Sequence, residues 1–298
     1  MLTKAQPISR KKFLRVSAFS ITGTMLSSFS AVLEPENENS ITIGLCGAWE
    51  NSPLAKQAGC SYIEEGVAKL VMPSQPDSAF NQQFDKLSSQ PLPIQCVNLF
   101  LPGEMHAVGD HADHEAIVNY SAVAFGRIEK VGANILVFGS GGARKIPDGF
   151  DRVEAKEQFI SLCKTLSPMA AKHHITLAVE QLNRGETNFI NTLQEAGEIV
   201  DAVNHPHLKM ICDIYHALRE NDPASELVRL NERIVHCHLA EREDRTPPGT
   251  RGDDFTPYLR ALKKINYKGK ISLECRWKNL EAELPVAVNV LKEQWLKI

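Results

Sequence analysis

Four short apolar segments in the second half of the chain each end in a side chain that can bind a metal ion. The four endings are Val179-Glu180, Cys212-Asp213, Cys237-His238 and Leu273-Glu274. Burying such a side chain behind hydrophobic residues is costly unless it has a partner. A cation shared by Glu180, Asp213, His238 and Glu274 removes that cost. Three carboxylates and one imidazole form an oxygen-rich ligand set, which predicts one divalent cation, Mn²⁺ first and Mg²⁺ or Co²⁺ as alternatives, rather than structural zinc.

A cation in such a site can act on a hydroxy-ketone, a molecule that carries a carbonyl next to a hydroxyl group. It polarises the carbonyl and stabilises the enediolate that forms when the neighbouring C–H group loses its proton. Two carboxylates on opposite sides of that carbon can take the proton from one face and return it to the other, which is epimerisation. Return of the proton to the neighbouring carbon interconverts an aldose and a ketose instead. Each general acid–base step typically contributes about 10²- to 10⁴-fold to the rate.

These polar segment ends need a fold that gathers them on one face. Eight β-rich segments are predicted as strands, at 41–47, 62–65, 94–101, 134–139, 175–181, 208–215, 234–239 and 270–275. Helical patterns alternate with them, most clearly at 115–131, 152–173, 192–203, 255–265 and 280–295. Eight strand–helix units predict an α/β fold, a single (β/α)₈ TIM barrel over residues 41–298, whose chemistry lies at the carboxyl ends of the strands. A doubly wound open sheet is the competing fold, but the sequence has no GxGxxG motif after the first predicted strand to support it.

The four metal-binding segments resemble those of the sugar isomerase/epimerase superfamily with a xylose isomerase-like TIM barrel, especially its ketose 3-epimerase and hydroxypyruvate isomerase-like branches. The resemblance rests on Glu180-x-x-Asn-Arg-x-Glu186, Asp213-x-x-His216, the His-x-His pair that ends in His238, and Glu274. It implies metal binding by Glu180, Asp213, His238 and Glu274, acid–base catalysis by Glu180 and Glu274, and substrate binding by Glu186, His216 and Arg245.

Three further residues are weaker candidates. His236 precedes His238 by two positions, so both side chains should point into the barrel, and we expect His236 to be a core histidine. Glu64 and Glu65 end the second predicted strand, where they could line the pocket, and we expect one of them to be solvated or paired.

The N-terminal segment differs in charge from the rest of the chain. Residues 1–30 hold five basic and no acidic side chains and continue into a weakly apolar, serine-rich stretch. This pattern predicts a twin-arginine-like export signal at 1–30 and a linker at 31–40, and therefore an exported, periplasmic enzyme with no membrane attachment after removal of the signal. Without the signal, 28 basic face 36 acidic side chains, and the formal charge changes from −3 to −8. Such a charge argues against nucleic-acid binding.

The leading interpretation is a metal-dependent sugar isomerase or epimerase that acts through an enediolate. Sugar phosphates are retained in the cytoplasm, so export predicts a non-phosphorylated sugar, with keto-sugars included. The alternative is a metal-dependent lyase or hydratase on a 3-keto-sugar, because addition or elimination of water beside a carbonyl uses the same enediolate. An AP-endonuclease-like enzyme and a non-catalytic sugar-binding barrel are weaker alternatives. The expected partner is a small-molecule sugar, and a homo-oligomeric state stays open.

Overall fold

Eight short parallel strands close into a barrel in the computed structural model, which describes residues 41–298. The strands are β1 (Thr42–Cys46), β2 (Tyr62–Gly66), β3 (Ile94–Asn98), β4 (Ile135–Phe138), β5 (Thr176–Val179), β6 (Leu208–Asp213), β7 (Ile234–Leu239) and β8 (Lys270–Leu273). Each strand pairs with the next, and β8 pairs with β1. The predicted (β/α)₈ barrel is therefore confirmed. The predicted export signal and linker lie outside the described residues.

Helices follow the strands and cover the barrel. They are α1 (Ser52–Gln57), α2 (Val67–Leu70), α3 (Asp77–Leu87), α4 (His114–Val131), α5 (Arg152–Lys172), α6 (Leu193–Val203), α7 (Ile214–Glu220), α8 (Ser225–Leu230), α9 (Thr256–Lys264) and α10 (Leu280–Leu296). The five clearest predicted helices match α4, α5, α6, α9 and α10 to within one residue at each end. Within residues 41–298, no helix combines the length and apolar character that crossing a membrane requires.

Local capping explains why several of these helices begin where they do. Asp113 accepts a hydrogen bond from the backbone N–H of Ala116 at the start of α4, and Asp151 does the same for the first turn of α5. Such side chains satisfy N–H groups that have no partner inside the helix. Gly132 ends α4 with a φ of 88°, a left-handed conformation that glycine adopts without steric cost.

Six strands are shorter than predicted, and local contacts explain two of them. The strand predicted at 94–101 ends at Asn98, because Leu99 adopts a φ of 49° and leaves the extended conformation. The strand predicted at 208–215 ends at Asp213, because this residue caps α7. Its carboxylate accepts a hydrogen bond from the backbone N–H of His216 at 2.9 Å, which turns the chain into a helix directly after the strand. This early turn brings the His216 side chain close to the strand end.

Alternate side chains along the strands face two different environments. Leu136 and Phe138 of β4 pack outward against the helices, where Phe138 lies 5.0 Å from the ring of Phe159 on α5. Ile135 and Val137 point the other way, into a small apolar cluster inside the barrel. The period of two in a strand therefore separates the outer core from the barrel interior. Polar residues share that interior with the apolar cluster, and they form the site described next.

Candidate metal centre and active site

Four side chains from consecutive strands meet at the carboxyl ends of the barrel. Glu180 follows β5, Asp213 ends β6, His238 lies in β7 and Glu274 follows β8. We call these four residues the mouth cluster. One ligand atom from each lies within 4.8 Å of the others. The pairing of β6 with β7 places Asp213 directly beside His238, so the strand register itself builds half of this cluster.

The Nδ1 atom of His238 is the centre of the mouth cluster. It lies 3.0 Å from Oε1 of Glu180, 2.9 Å from Oε2 of Glu274 and 3.8 Å from Oδ2 of Asp213. This Oδ2 atom is buried and has no hydrogen-bond partner among the described residues. Three carboxylates around one nitrogen, with one oxygen left unsatisfied, fit the ligand requirements of a hard divalent cation. The sequence-predicted ligands are thus brought together.

Burial and charge shift the pKa values of the mouth cluster. Burial raises the pKa of Asp213 to about 6, although Arg245 and His238 oppose the shift. Burial also raises the pKa of Glu180. It acts against the charged form of His238, but the carboxylates of Glu64 and Glu274 outweigh it and raise the pKa of His238 well above its ordinary value. The carboxylates therefore compete for too little positive charge, which a cation would supply.

Arg245 reaches the mouth cluster from the loop between β7 and α9. Its guanidinium donates a hydrogen bond to the carboxylate of Glu274, lies 3.6 Å from Glu186 and stacks over the ring of Tyr215 at 4.9 Å. The loop adopts a left-handed conformation at Arg245, with a φ of 57°. Buried Glu241 stabilises this loop, because its carboxylate accepts hydrogen bonds from the hydroxyl of Thr246 and from three backbone N–H groups at Gly249, Arg251 and Gly252.

His216 faces the same site, and its hydrogen bonds show which of its ring nitrogens carries the proton. Its Nδ1 atom accepts a hydrogen bond from the backbone N–H of Asn183 at 3.1 Å, so the proton of the neutral ring lies on Nε2. The Nε2 atom is buried, has no hydrogen-bond partner among residues 41–298 and lies 3.9 Å from Glu186. Burial lowers the pKa of His216 to about 4, so the ring is neutral at pH 7. His216 can therefore donate an N–H group to a bound molecule.

The three weaker candidates, Glu64, Glu65 and His236, occupy different environments in the structure. Glu64 is fully buried inside the barrel, and its carboxylate accepts hydrogen bonds from Nε2 of His236 at 2.8 Å and from Nε2 of His238 at 2.8 Å. His236 is a buried interior histidine, as expected. Glu65 points out of the barrel, pairs with Lys69 at 3.0 Å and accepts hydrogen bonds from the backbone N–H groups of Trp49 and Gly66. Both acids are therefore paired.

Sequence reasoning left the role of one supporting residue, Glu64, undecided and missed two others, Asn183 and Glu241. Glu64 was only one of two adjacent acids, and nothing in the sequence tells which of them enters the barrel. Asn183 lies inside the Glu180–Glu186 motif, and that position was the available signal for its contact with His216. Glu241 follows the apolar end of β7, which marks it as an acid that needs a partner, but its backbone partners lie up to 11 residues away.

A glycine packs directly against one of the acids. A Cβ atom added at Gly139, which follows β4, would collide with the carboxylate of Glu180. Gly139 therefore allows the backbone after β4 to approach the mouth cluster closely.

Comparisons with known proteins agree with this architecture. Residues 53–294 match the family described as a xylose isomerase-like TIM barrel. The L-ribulose 3-epimerase of Methylomonas sp. (strain DH-1) is 31% identical over 143 residues, which is 43% of this chain and 50% of that protein. The 3-dehydro-D-guloside 4-epimerase of Escherichia coli (strain K12) is 29% identical over 135 residues, 45% of this chain and 50% of that protein. The chain thus spans about half the length of these curated relatives.

A solved structure shows the same fold over a larger share of the chain. The crystal structure of D-allulose 3-epimerase from Methylomonas sp. in complex with D-allulose has a TM-score of 0.74 and 24% sequence identity, and it covers 85% of this chain and 97% of that chain. The predicted resemblance to ketose 3-epimerases and related sugar isomerases is confirmed. Because the family match extends over most of its length, the chain belongs to the xylose isomerase-like TIM barrel family.

Proposed function

We propose that the chain is a divalent-metal-dependent sugar epimerase or isomerase that acts on a non-phosphorylated sugar. The observation that carries the proposal is the convergence of Glu180, Asp213 and Glu274 on Nδ1 of His238, all within 3.8 Å. These four residues would hold one divalent cation, with Mn²⁺ as our first choice and Mg²⁺ or Co²⁺ as alternatives. When bound, the cation would polarise the sugar carbonyl and lower the pKa of the C–H group beside it.

Glu180 and Glu274 are the residues that we assign to proton transfer. Burial raises the pKa of Glu180. Burial acts on Glu274 as well, but the charges of His238 and Arg245 outweigh it and bring the pKa of Glu274 down to about 2. When the pKa values of two carboxyl groups differ, one can be protonated and act as an acid while the other is ionised and acts as a base. We therefore propose that one of the two removes the proton from one face of the carbon and the other returns a proton to the opposite face, with the roles exchanged in the reverse reaction.

Three further side chains would orient the sugar. His216 presents its Nε2–H group to a sugar oxygen, because Asn183 occupies the other ring nitrogen. Arg245 supplies guanidinium N–H groups next to Glu274. Glu186, whose side chain is 40% exposed, can accept a hydrogen bond from a sugar hydroxyl where the site opens to solvent. Donors and acceptors on several sides of a small polar molecule are what stereochemical control requires.

The substrate class is supported by the names of the relatives. The two relatives are named as epimerases of L-ribulose and of a 3-dehydro-D-guloside, and the second name makes keto-sugars part of the proposed class. Neither name contains a phosphorylated sugar. We further propose that residues 1–30 direct export to the periplasm and are removed from the mature enzyme. N-terminal sequencing of the native protein that reads from Met1 would contradict export.

The test of the proposed function is proton exchange followed by NMR. Purified protein in Mg²⁺ buffer made with D₂O is incubated with a panel of ketoses and 3-keto-sugars, and the same protein treated with a chelator is the control. Deuterium at one carbon together with inversion or carbonyl migration is the expected result. Loss or gain of water would favour the lyase or hydratase instead. Absence of exchange with every sugar, at full cation occupancy, would refute the proposal.

A further inference from the structure

We propose that Glu64 is a positioning residue that fixes the tautomer and the ring orientation of His238, so that the Nδ1 lone pair faces the cation site. Glu64 lies on β2, opposite the strands that carry the mouth cluster. This inference rests on the metal site of the proposed function but not on the identity of the sugar.

The carboxylate of Glu64 is surrounded by hydrogen-bond donors. Oε1 lies 2.8 Å from Nε2 of His238, and Oε2 lies 2.8 Å from Nε2 of His236 and 2.6 Å from the hydroxyl of Ser272. Since the Ser272 hydroxyl donates to Glu64, the phenol of Tyr62 donates in turn to Ser272, at 2.8 Å. We call Tyr62, Glu64, His236 and Ser272 the interior cluster. All four side chains are fully buried, and none of their polar atoms lacks a partner within residues 41–298.

This arrangement determines which nitrogen of His238 keeps its proton when a cation binds. A carboxylate can only accept hydrogen bonds, so Nε2 of His238 must be the N–H group in this contact. In the metal-free chain Nδ1 also faces carboxylates, those of Glu180 and Glu274, and donates its own proton to them. A cation held by the mouth cluster would replace that proton and accept the Nδ1 lone pair, while Glu64 keeps the remaining proton on Nε2. The ring of His236 packs edge-on against that of His238, with centroids 5.1 Å apart and an interplanar angle of 89°, which restricts rotation of the His238 ring.

Partners of this kind contribute measurably to metal affinity. A histidine ligand usually donates its second N–H group to a carboxylate or carbonyl, and loss of that partner typically weakens metal binding about 10- to 100-fold. Glu64 occupies that place for His238. Glu64, His236 and His238 could instead form a second metal site, because their ligand atoms also lie close together. The interior cluster argues against it, since Ser272 and His236 already hydrogen-bond to the carboxylate.

The experiment compares Glu64→Gln, which removes the carboxylate, with Ser272→Ala, which removes one donor to that carboxylate and leaves its contact with His238. Cation binding is measured by titration of folded, chelator-treated protein with Mn²⁺, and stoichiometry by elemental analysis. We expect one Mn²⁺ per wild-type chain, a 10- to 100-fold loss of affinity in Glu64→Gln and less than about threefold in Ser272→Ala. Wild-type affinity in Glu64→Gln would overturn the proposal. Two cations per wild-type chain, with one lost in Glu64→Gln, would also overturn it and assign a second metal site.

A second measurement keeps the proposal testable if Glu64→Gln does not fold. In ¹⁵N NMR spectra of the Mg²⁺-loaded wild-type protein, His238 should show the tautomer protonated at Nε2. The Nδ1-protonated tautomer would overturn the role of Glu64. Neither readout depends on sugar turnover. A wild-type protein that binds Mn²⁺ with the expected tautomer but exchanges no sugar proton would therefore refute the proposed function alone, whereas a protein that binds no Mn²⁺ would refute both.

Discussion

The interior cluster and the mouth cluster share the same chemical groups but differ in how fully those groups are satisfied. In the interior cluster every polar atom has a partner, and the carboxylate of Glu64 accepts three hydrogen bonds. In the mouth cluster three carboxylates surround one nitrogen, and the Oδ2 atom of Asp213 has no hydrogen-bond partner among the described residues. His238 belongs to both, with one ring nitrogen in each.

This difference shows which polar groups stabilise the fold and which serve a ligand. A satisfied buried network rigidifies its surroundings, and removal of one member leaves the others unpaired at a cost. An unsatisfied group of like charges costs free energy in the folded state and persists where a ligand completes it. Neutral substitutions in the two clusters should therefore change stability in opposite directions. Three predictions test the contrast, from the largest effect to the smallest.

The largest effect is expected on turnover when an acid of the mouth cluster becomes an amide. Glu180→Gln and Glu274→Gln should each lower kcat at least 100-fold, because each loses a proton-transfer group. For a sugar that loses its proton to Glu274, the Glu274→Gln variant should lose both turnover and exchange with D₂O. Glu180→Gln should still exchange that proton yet fail to invert the carbon.

NMR in D₂O measures both properties in the same sample. The control is Glu157→Gln on the exposed side of α5, which should keep wild-type kcat. If both mouth variants retained a tenth of wild-type turnover, the two carboxylates would have no part in the chemistry.

A smaller effect is expected on stability when the interior cluster is broken. Glu64→Gln should lower the free energy of unfolding of the metal-free protein by about 3 kcal/mol, because an amide cannot accept from both imidazoles and Ser272. Urea denaturation in the presence of a chelator measures this change. Glu157→Gln is the matched control, since it is the same substitution on an exposed residue of α5, and it should cost less than about 1 kcal/mol. Equal losses in the two variants would contradict the contrast.

The smallest effect has the opposite sign and depends on pH. Asp213→Asn should stabilise the metal-free protein by about 1 to 3 kcal/mol at pH 7, because burial raises the pKa of Asp213 to about 6 and so penalises its charge in the folded state. The Asn side chain can still cap α7.

The sign of the pH dependence follows from the raised pKa. Above pH 6, Asp213 is ionised in the folded and the unfolded chain, and the gain from its replacement is complete. Below about pH 4 it is protonated in both states, so the gain disappears as the pH falls from 6 to 4. Urea denaturation across this range measures it, with the exposed Asp148→Asn as control. If the stabilisation by Asp213→Asn grew toward acid pH, the ionised form of Asp213 would not be destabilising in the folded protein.

The sequence alone was sufficient for the barrel and for the mouth cluster. Alternating β-rich and helical segments predict the (β/α)₈ fold, and parallel strands in a closed barrel place all their carboxyl ends on one face. Glu180, Asp213, His238 and Glu274 each lie at such an end, so their meeting depends only on the topology. The extents of the strands were less predictable, because the strand predicted to reach residue 215 is ended by a capping contact at Asp213.

Only the tertiary structure decided what lies beneath the mouth cluster. Glu64 and Glu65 are adjacent acids, and a shift of one residue in the register of β2 would exchange the one that enters the barrel. The contact between Glu64 and His238 joins residues 174 positions apart and requires β2 and β7 to face each other across the interior. The choice between the two ring nitrogens of His238 depends on that contact. Strand topology determines which residues meet, whereas side-chain pairing across the closed barrel determines how they are oriented.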